Sequence, residues 1–82
     1  MITKELTEQE KEVLGLFLYN LKHIMKKKDI ATFGELMEQA GLDESSPSKW
    51  TAGRSLPTMR SVVKISDALG VGIWELFQGG SK

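Results

Sequence analysis

The sequence predicts an all-α fold of five helices, the first of them unusually long. Three observations lead to this fold class. Apolar residues recur at intervals of three and four, threonine-led capping sequences mark helix starts, and glycines follow apolar runs as helix stops. No segment alternates between apolar and polar residues over the length of a strand. At 82 residues the chain has room for one domain, predicted at 1–78, with a flexible tail at 79–82.

The first helix is predicted over residues 8–28. Thr7 begins it, because its hydroxyl can accept a hydrogen bond from the Glu10 amide while the Glu10 carboxylate reaches back. Apolar residues follow at helical spacing, at positions 13, 14, 17, 18, 21, 24 and 25. Three lysines at 26–28 then lie at the negative end of the helix dipole. The result is a helix of about twice the length usual for the predicted fold.

Four shorter helices complete the prediction. Thr32 and Glu35 form a second capping box at the start of helix 2, and glycines stop helices 2, 3 and 4. The four helices are predicted within Thr32–Gly41, Asp43–Gly53, Pro57–Gly70 and Gly72–Phe77.

Pro47 leaves two alternatives for helix 3. The helix begins at Asp43 and loses one early hydrogen bond, or it begins at Ser46 with Pro47 in its first turn. Proline lacks the amide donor and is tolerated only in the first turn of a helix. The second alternative shortens helix 3 to about two turns.

Composition argues against several classes of protein. Cysteine is absent, and His23 stands alone, so we expect neither a metal site nor a cofactor. So small a domain offers no deep cleft in which Glu35 and Glu38 could act as an acid/base pair, and we expect no enzyme. The apolar residues after position 12 follow acids rather than the positive charge of a secretory signal, and no run is long enough for a membrane span. These features favour a cytoplasmic protein.

Charge is zero overall but unevenly distributed. Residues 13–28 carry four lysines and no acid, residues 29–44 carry only acids, and residues 45–64 carry only bases. Blocks of alternating sign can fold into a surface with one basic face. Ordinary solvated helix faces are the alternative interpretation.

From residue 41 to residue 77 a set of spaced elements follows one pattern. A glycine, an aliphatic residue and a cap residue precede a helix that ends in a bulky apolar residue and glycine. A proline loop follows, then a helix ending in Ala-Leu-Gly-Val, then an acidic-Leu-Phe ending. The elements are Gly41-Leu42-Asp43, Trp50, Gly53, Pro57, Lys64-Ile65, Ala68-Leu69-Gly70-Val71 and Glu75-Leu76-Phe77. This spacing resembles the Cro/phage-repressor (XRE-like) helix-turn-helix family.

The resemblance implies a lambda-repressor-like helix-turn-helix domain that regulates transcription by sequence-specific binding to double-stranded DNA. In that family helix 3 enters the major groove while loops hold the phosphates. Carried over by position, the DNA-binding residues are Glu44, Ser45, Ser46, Ser48, Lys49, Arg54 and Ser55. Glu44, Ser45 and Lys49 match base-facing positions, and Arg54 and Ser55 match the loop at the sugar-phosphate backbone. An exposed polar helix face without DNA contact is the alternative.

Three residues depart from the family pattern. Phe33 replaces a glutamine that bonds a DNA phosphate, Met37 replaces a small residue, and Pro47 replaces a buried aliphatic residue. Phe33, Pro47 and the zero net charge favour an alternative function, in which the fold serves as a protein-interaction module with weak or no DNA readout. An antirepressor, an adaptor or an antitoxin would be such a module.

Helix 1 carries more apolar surface than the ~100°-wide stripe that a single core covers. Either the C-terminal segment folds back over it or a second subunit does. We predict a homodimer, with Phe17, Leu18 and Trp74 at the interface with a second copy or another protein partner. Tryptophan is common at interface hot spots, whereas Trp50 falls on a core position of the family.

Overall fold

The computed structural model describes residues 6–43 and 46–79. Its four α-helices and one 3₁₀ helix are α1 (Glu8–Lys27), α2 (Phe33–Ala40), α3 (Ser46–Thr51), α4 (Met59–Leu69) and η1 (Ile73–Phe77). These two ranges contain no β-strand, so the all-α prediction is confirmed. None of the helices described in them has the length and apolarity to cross a membrane.

The prediction of a fifth α-helix within Gly72–Phe77 was wrong. The segment forms η1, in which the Glu75 amide donates to the Gly72 carbonyl oxygen at 3.0 Å. This is the three-residue spacing of a 3₁₀ helix, which occurs in short pieces. Only five residues lie between the extended Gly72 and the extended Gln78. The segment is therefore too short for a continued α-helical ladder.

Threonine side chains begin three of the helices. Thr7 accepts from the Glu10 amide at 3.1 Å, and its own amide donates to the Glu10 carboxylate at 2.8 Å, as the capping box predicts. Thr32 accepts a hydrogen bond from the Glu35 amide at 3.1 Å. The Glu35 carboxylate, however, accepts from the Ala31 amide and not from the Thr32 amide that the predicted capping box requires. Thr58 caps α4 in the same way through Ser61.

The four α-helices end with the same backbone geometry. A residue with positive φ follows each one, namely Asp29, Gly41, Gly53 and Gly70. The next amide then bonds back to a carbonyl five residues earlier, as in a Schellman motif. These bonds join Ile30 to Met25, Leu42 to Met37, Arg54 to Lys49 and Val71 to Ser66. Three of the sites have the glycine that the sequence predicts, and Asp29 ends α1 without one.

A single apolar core joins the five elements. Phe17 of α1 is fully buried at its centre, with the Trp50 ring edge-on at 5.6 Å and the Phe77 ring stacked at 5.5 Å. The buried apolar residues are Leu14, Phe17, Leu21, Met25, Ile30, Leu36, Met37, Trp50, Val62, Ile65, Leu69 and Leu76. Trp50 is thus a core residue, as its position predicts.

The C-terminal segment folds back over α1. The Asn20 side-chain amide donates to the main-chain oxygens of Leu76 at 3.2 Å and Gln78 at 2.9 Å, while Phe77 stacks on Phe17. Phe17 is therefore enclosed by its own chain, and its prediction as a partner-contacting residue was wrong. Leu18 is only partly buried. Of the tail predicted at 79–82, all but Gly79 lies outside the described residues.

Candidate nucleic-acid interface

The α2–turn–α3 unit is held to the core at both helices. Leu36 and Met37 of α2 are fully buried. Gly41 ends α2 at a φ of 73°, and Leu42 in the turn packs against the core. Because Met37 takes the place of the family's small residue without reaching the surface, this core accommodates the larger side chain.

The inward face of α3 consists of Pro47 and Trp50. Pro47 is buried and lies in the first turn of a helix that begins at Ser46, the second of the two predicted alternatives. Trp50 is 3% exposed and meets Phe17 edge-on. The Thr51 hydroxyl donates to the Pro47 carbonyl oxygen at 3.0 Å, within the helix. A helix of six residues is thus fixed by two inward side chains one turn apart.

The outward face of α3 carries polar side chains. Ser48 and Lys49 are exposed, Arg54 beyond the helix is exposed, and Ser55 is half-buried. These four are the predicted site residues whose surroundings the structure describes. Ser46 is the first residue of α3, whereas Glu44 and Ser45 lie outside the described residues.

Backbone bonds at the end of α3 tie Arg54 to the helix. Gly53 takes a φ of 73°, which favours glycine, and its amide donates to the Trp50 carbonyl oxygen at 3.0 Å. The Arg54 amide donates to the Lys49 carbonyl oxygen at 2.9 Å. As a result, the Lys49 and Arg54 backbones have a fixed relation to each other, although their side chains extend into solvent.

Two further basic residues flank the unit and were absent from the predicted site. Lys22 and Lys26, one turn apart on α1, line an open depression together with Thr32 and Phe33 at the start of α2. The acid-free block at 13–28 was the signal that could have found them. Phe33 is half-buried and packs against the core, so the side chain at the family's phosphate-bonding position is apolar here.

His23 is exposed, and its ring lies 6.3 Å from the Tyr19 ring one turn earlier on α1. Over the two described ranges, no three histidine or carboxylate side chains come together in a way that could hold a metal ion.

The fold agrees with comparisons to known proteins. The family model of the Cro/C1-type HTH DNA-binding domain matches residues 20–78. The chain belongs to this family. The family resemblance predicted from residues 41–77 is thereby confirmed. The Cro/C1-type HTH family is one of DNA-binding domains rather than of enzymes.

Two individual proteins are similar to this Cro/C1-type domain. Over 45 residues the chain is 40% identical to the cryptic phage CTXphi transcriptional repressor RstR of Vibrio cholerae serotype O1. That segment is 55% of this chain but only 40% of the repressor. A crystal structure of a hypothetical transcription factor, NHTF, from Neisseria superposes with a TM-score of 0.72 at 26% identity, covering 95% of this chain and 87% of that one.

Proposed function

We propose that this chain is a sequence-specific, DNA-binding transcriptional regulator that places α3 in the major groove of double-stranded DNA. One observation carries the proposal: α3 turns Pro47 and Trp50 into the core and Ser48 and Lys49 to solvent. A recognition helix needs this division, since its inward side sets the angle of approach and its outward side meets base edges.

Base contact is assigned to Lys49 and to the serines of α3, together with Glu44 and Ser45 before it. A lysine can donate to the O6 and N7 atoms of guanine, and a glutamate can accept from the amino group of cytosine. Ser46 and Ser48 are suited to either a phosphate or a base edge.

Phosphate contact is assigned to Arg54 and Ser55 after α3, and to Lys22 and Lys26 beside the start of α2. The exposure of the three basic side chains supports this assignment, as does the fixed backbone relation between Arg54 and Lys49. Phosphate contacts orient a protein on the duplex without reading its sequence. The Phe33 side chain cannot form a hydrogen bond to a phosphate. Lys22 and Lys26 would therefore supply the positive charge beside the N-terminal end of α2.

Selection from a random duplex pool, followed by anisotropy titrations, tests the proposed function. We expect one preferred sequence, and an affinity that falls linearly on a log–log scale as salt rises and counterions are released. A shuffled duplex of the same composition is the control. Equal, weak binding to both duplexes across low and moderate salt would contradict DNA recognition.

A protein-interaction module is the second candidate, and one observation favours it. Trp74 is 66% exposed on η1. An antirepressor, adaptor or antitoxin would use such a tryptophan against its partner. Two results together would support this candidate: the selection yields no preferred duplex, and Trp74→Ala abolishes binding to a protein partner.

A further inference from the structure

Phe33 lines an open depression between α1 and the start of α2. The depression has a volume of about 660 Å³, and its lining includes the buried core residues Met25 and Ile30. Phe33 is half-buried: it packs against the core, yet part of its surface meets solvent in the depression. Lys22 and Lys26 of α1 line the same depression and are exposed. An aromatic surface flanked by two lysines is therefore accessible at the start of α2.

The polar groups at the start of α2 are engaged within the chain. The Thr32 hydroxyl oxygen accepts from the Glu35 amide at 3.1 Å, and the Glu35 carboxylate accepts from the Ala31 amide at 3.2 Å. Glu35 is exposed, and Asp29 adds a second carboxylate to the lining of the depression. Because like charges repel, these carboxylates disfavour a phosphate placed against Phe33 itself. An uncharged, apolar group suits this position better.

The docking of α3 determines which part of the DNA comes close to Phe33, and in this respect the inference rests on the proposed function. In a helix-turn-helix the first helix crosses the DNA backbone while the second lies in the major groove. Phe33 is the first residue of the eight in α2, so it lies about 12 Å from the end that leads into the turn and α3. With Lys22 and Lys26 on phosphates, Phe33 is then at the edge of the groove, beyond the bases that α3 meets.

We propose that Phe33 recognises the 5-methyl group of a pyrimidine near the outer end of the DNA site. The C5-methyl of thymine is the apolar group that a base presents in the major groove, and phenylalanine is one of the side chains that contact it. Thymine and 5-methylcytosine carry this methyl at the same position, whereas uracil and cytosine lack it. Packing the methyl against the Phe33 ring removes apolar surface of both groups from water.

This assignment gives a departure from the family pattern a role in recognition. A side chain that bonds a phosphate orients the protein on DNA without reading the sequence. Phe33 replaces such a contact with one that depends on the identity of the base. The neighbouring Lys22 and Lys26 retain the contact with the backbone.

A deoxyuridine scan of the selected duplex tests the proposal on the full wild-type chain. Each thymine is replaced in turn by deoxyuridine, which removes only the methyl group. We expect one thymine near an end of the site at which the replacement weakens binding by about three- to fivefold, as the loss of one buried methyl group predicts. At the same position, 5-methylcytosine is expected to bind better than cytosine by a similar factor. This second comparison separates the methyl from the other groups of thymine.

A Phe33→Gln variant tests whether this ring makes the contact. The variant is expected to bind the thymine and deoxyuridine duplexes equally, while Phe33→Leu, which stays apolar, keeps part of the preference. Lys22→Ala is the matched control in the same depression. It is expected to weaken binding to both duplexes alike and to lower the salt slope by about one, with the methyl preference unchanged. Because Phe33 is half-buried, circular dichroism and urea melts establish that each variant is folded.

The outcomes distinguish this proposal from the proposed function. A wild type that selects a duplex but is insensitive to every thymine methyl overturns the role of Phe33 and leaves the proposed function standing. A methyl preference that persists in folded Phe33→Gln protein does the same. If the selection yields no preferred duplex, the proposed function fails and this inference fails with it.

Discussion

The two faces of α3 differ in how they are held. The inward face, Pro47 and Trp50, is buried and meets the centre of the core through Phe17. The outward face, Ser48 and Lys49, is exposed and has no part in the core. Both faces belong to a helix of six residues, too short to be stable by itself. Because the inward side chains maintain the helix, the outward side chains can be replaced without loss of the fold.

This comparison predicts that substitutions on the two faces change different quantities. Inward changes lower the free energy of unfolding and affect DNA only through the fold. Outward changes leave the free energy of unfolding nearly constant and alter the binding profile. Each variant below therefore calls for both a urea melt and a duplex titration.

The largest effect is expected from Trp50→Ala. Removing a buried tryptophan leaves a cavity beside Phe17 and lowers the free energy of unfolding by about 3–5 kcal/mol. Trp74→Ala makes the same chemical change at a side chain that is 66% exposed, and its expected loss is less than about 1 kcal/mol. Equal losses in the two urea melts would contradict the role of Trp50 as the anchor of α3.

Lys49→Ala comes next and belongs to the outward face. If Lys49 reads a guanine, the variant loses about 1–3 kcal/mol of discrimination at one base pair and unfolds like the wild type. Arg54→Ala, at a predicted phosphate contact, weakens binding to all sequences alike. A base-by-base binding profile measures both variants. Equal, sequence-independent losses would show that Lys49 contacts only the backbone.

Gly53→Ala tests the turn at the end of α3, in which the Arg54 amide donates to the Lys49 carbonyl oxygen. Gly53 has a φ of 73°, and a left-handed conformation costs other residues roughly 1–2 kcal/mol. The free energy of unfolding falls by that amount, and affinity for DNA falls as Arg54 loses its fixed position. Gly15→Ala is the matched control, since a methyl group there meets open space within α1 and stabilises it by about 0.5–1 kcal/mol. If the Gly53→Ala protein were as stable as the Gly15→Ala protein, the left-handed conformation at position 53 would not require glycine.

The smallest effect is expected from Pro47→Ala. Proline in the first turn costs a helix little, and alanine frees the unfolded chain while burying less surface. The free energy of unfolding should change by no more than about 1 kcal/mol, and DNA affinity should fall or stay level. Marked stabilisation, with no DNA binding in either protein, would mean that Pro47 interrupts a longer helix, and would favour the interaction module.

Most of the fold could be predicted from local sequence. Thr7, Thr32 and the glycines at 41, 53 and 70 marked helix boundaries, because caps are made by side chains and backbone only a few residues apart. The left-handed Asp29 was missed, since an aspartate after a lysine run gives no signal comparable to a glycine. The last helix was misjudged because apolar spacing over five residues does not distinguish a 3₁₀ turn from an α-helix.

The helical class, the order of the elements and the family spacing could all be read from the chain's residues, and that spacing predicts DNA contact by α3 and the loop after it. The tertiary structure, in contrast, sets which apolar residues of α1 meet solvent. It buried Phe17 between Trp50 and Phe77, removing it from the predicted interface, and left Val13 exposed beside Met59. The physical reason is distance along the chain. Caps and helix periods are set by neighbours within a few residues, whereas the covering of Phe17 depends on residues 33 and 60 positions away.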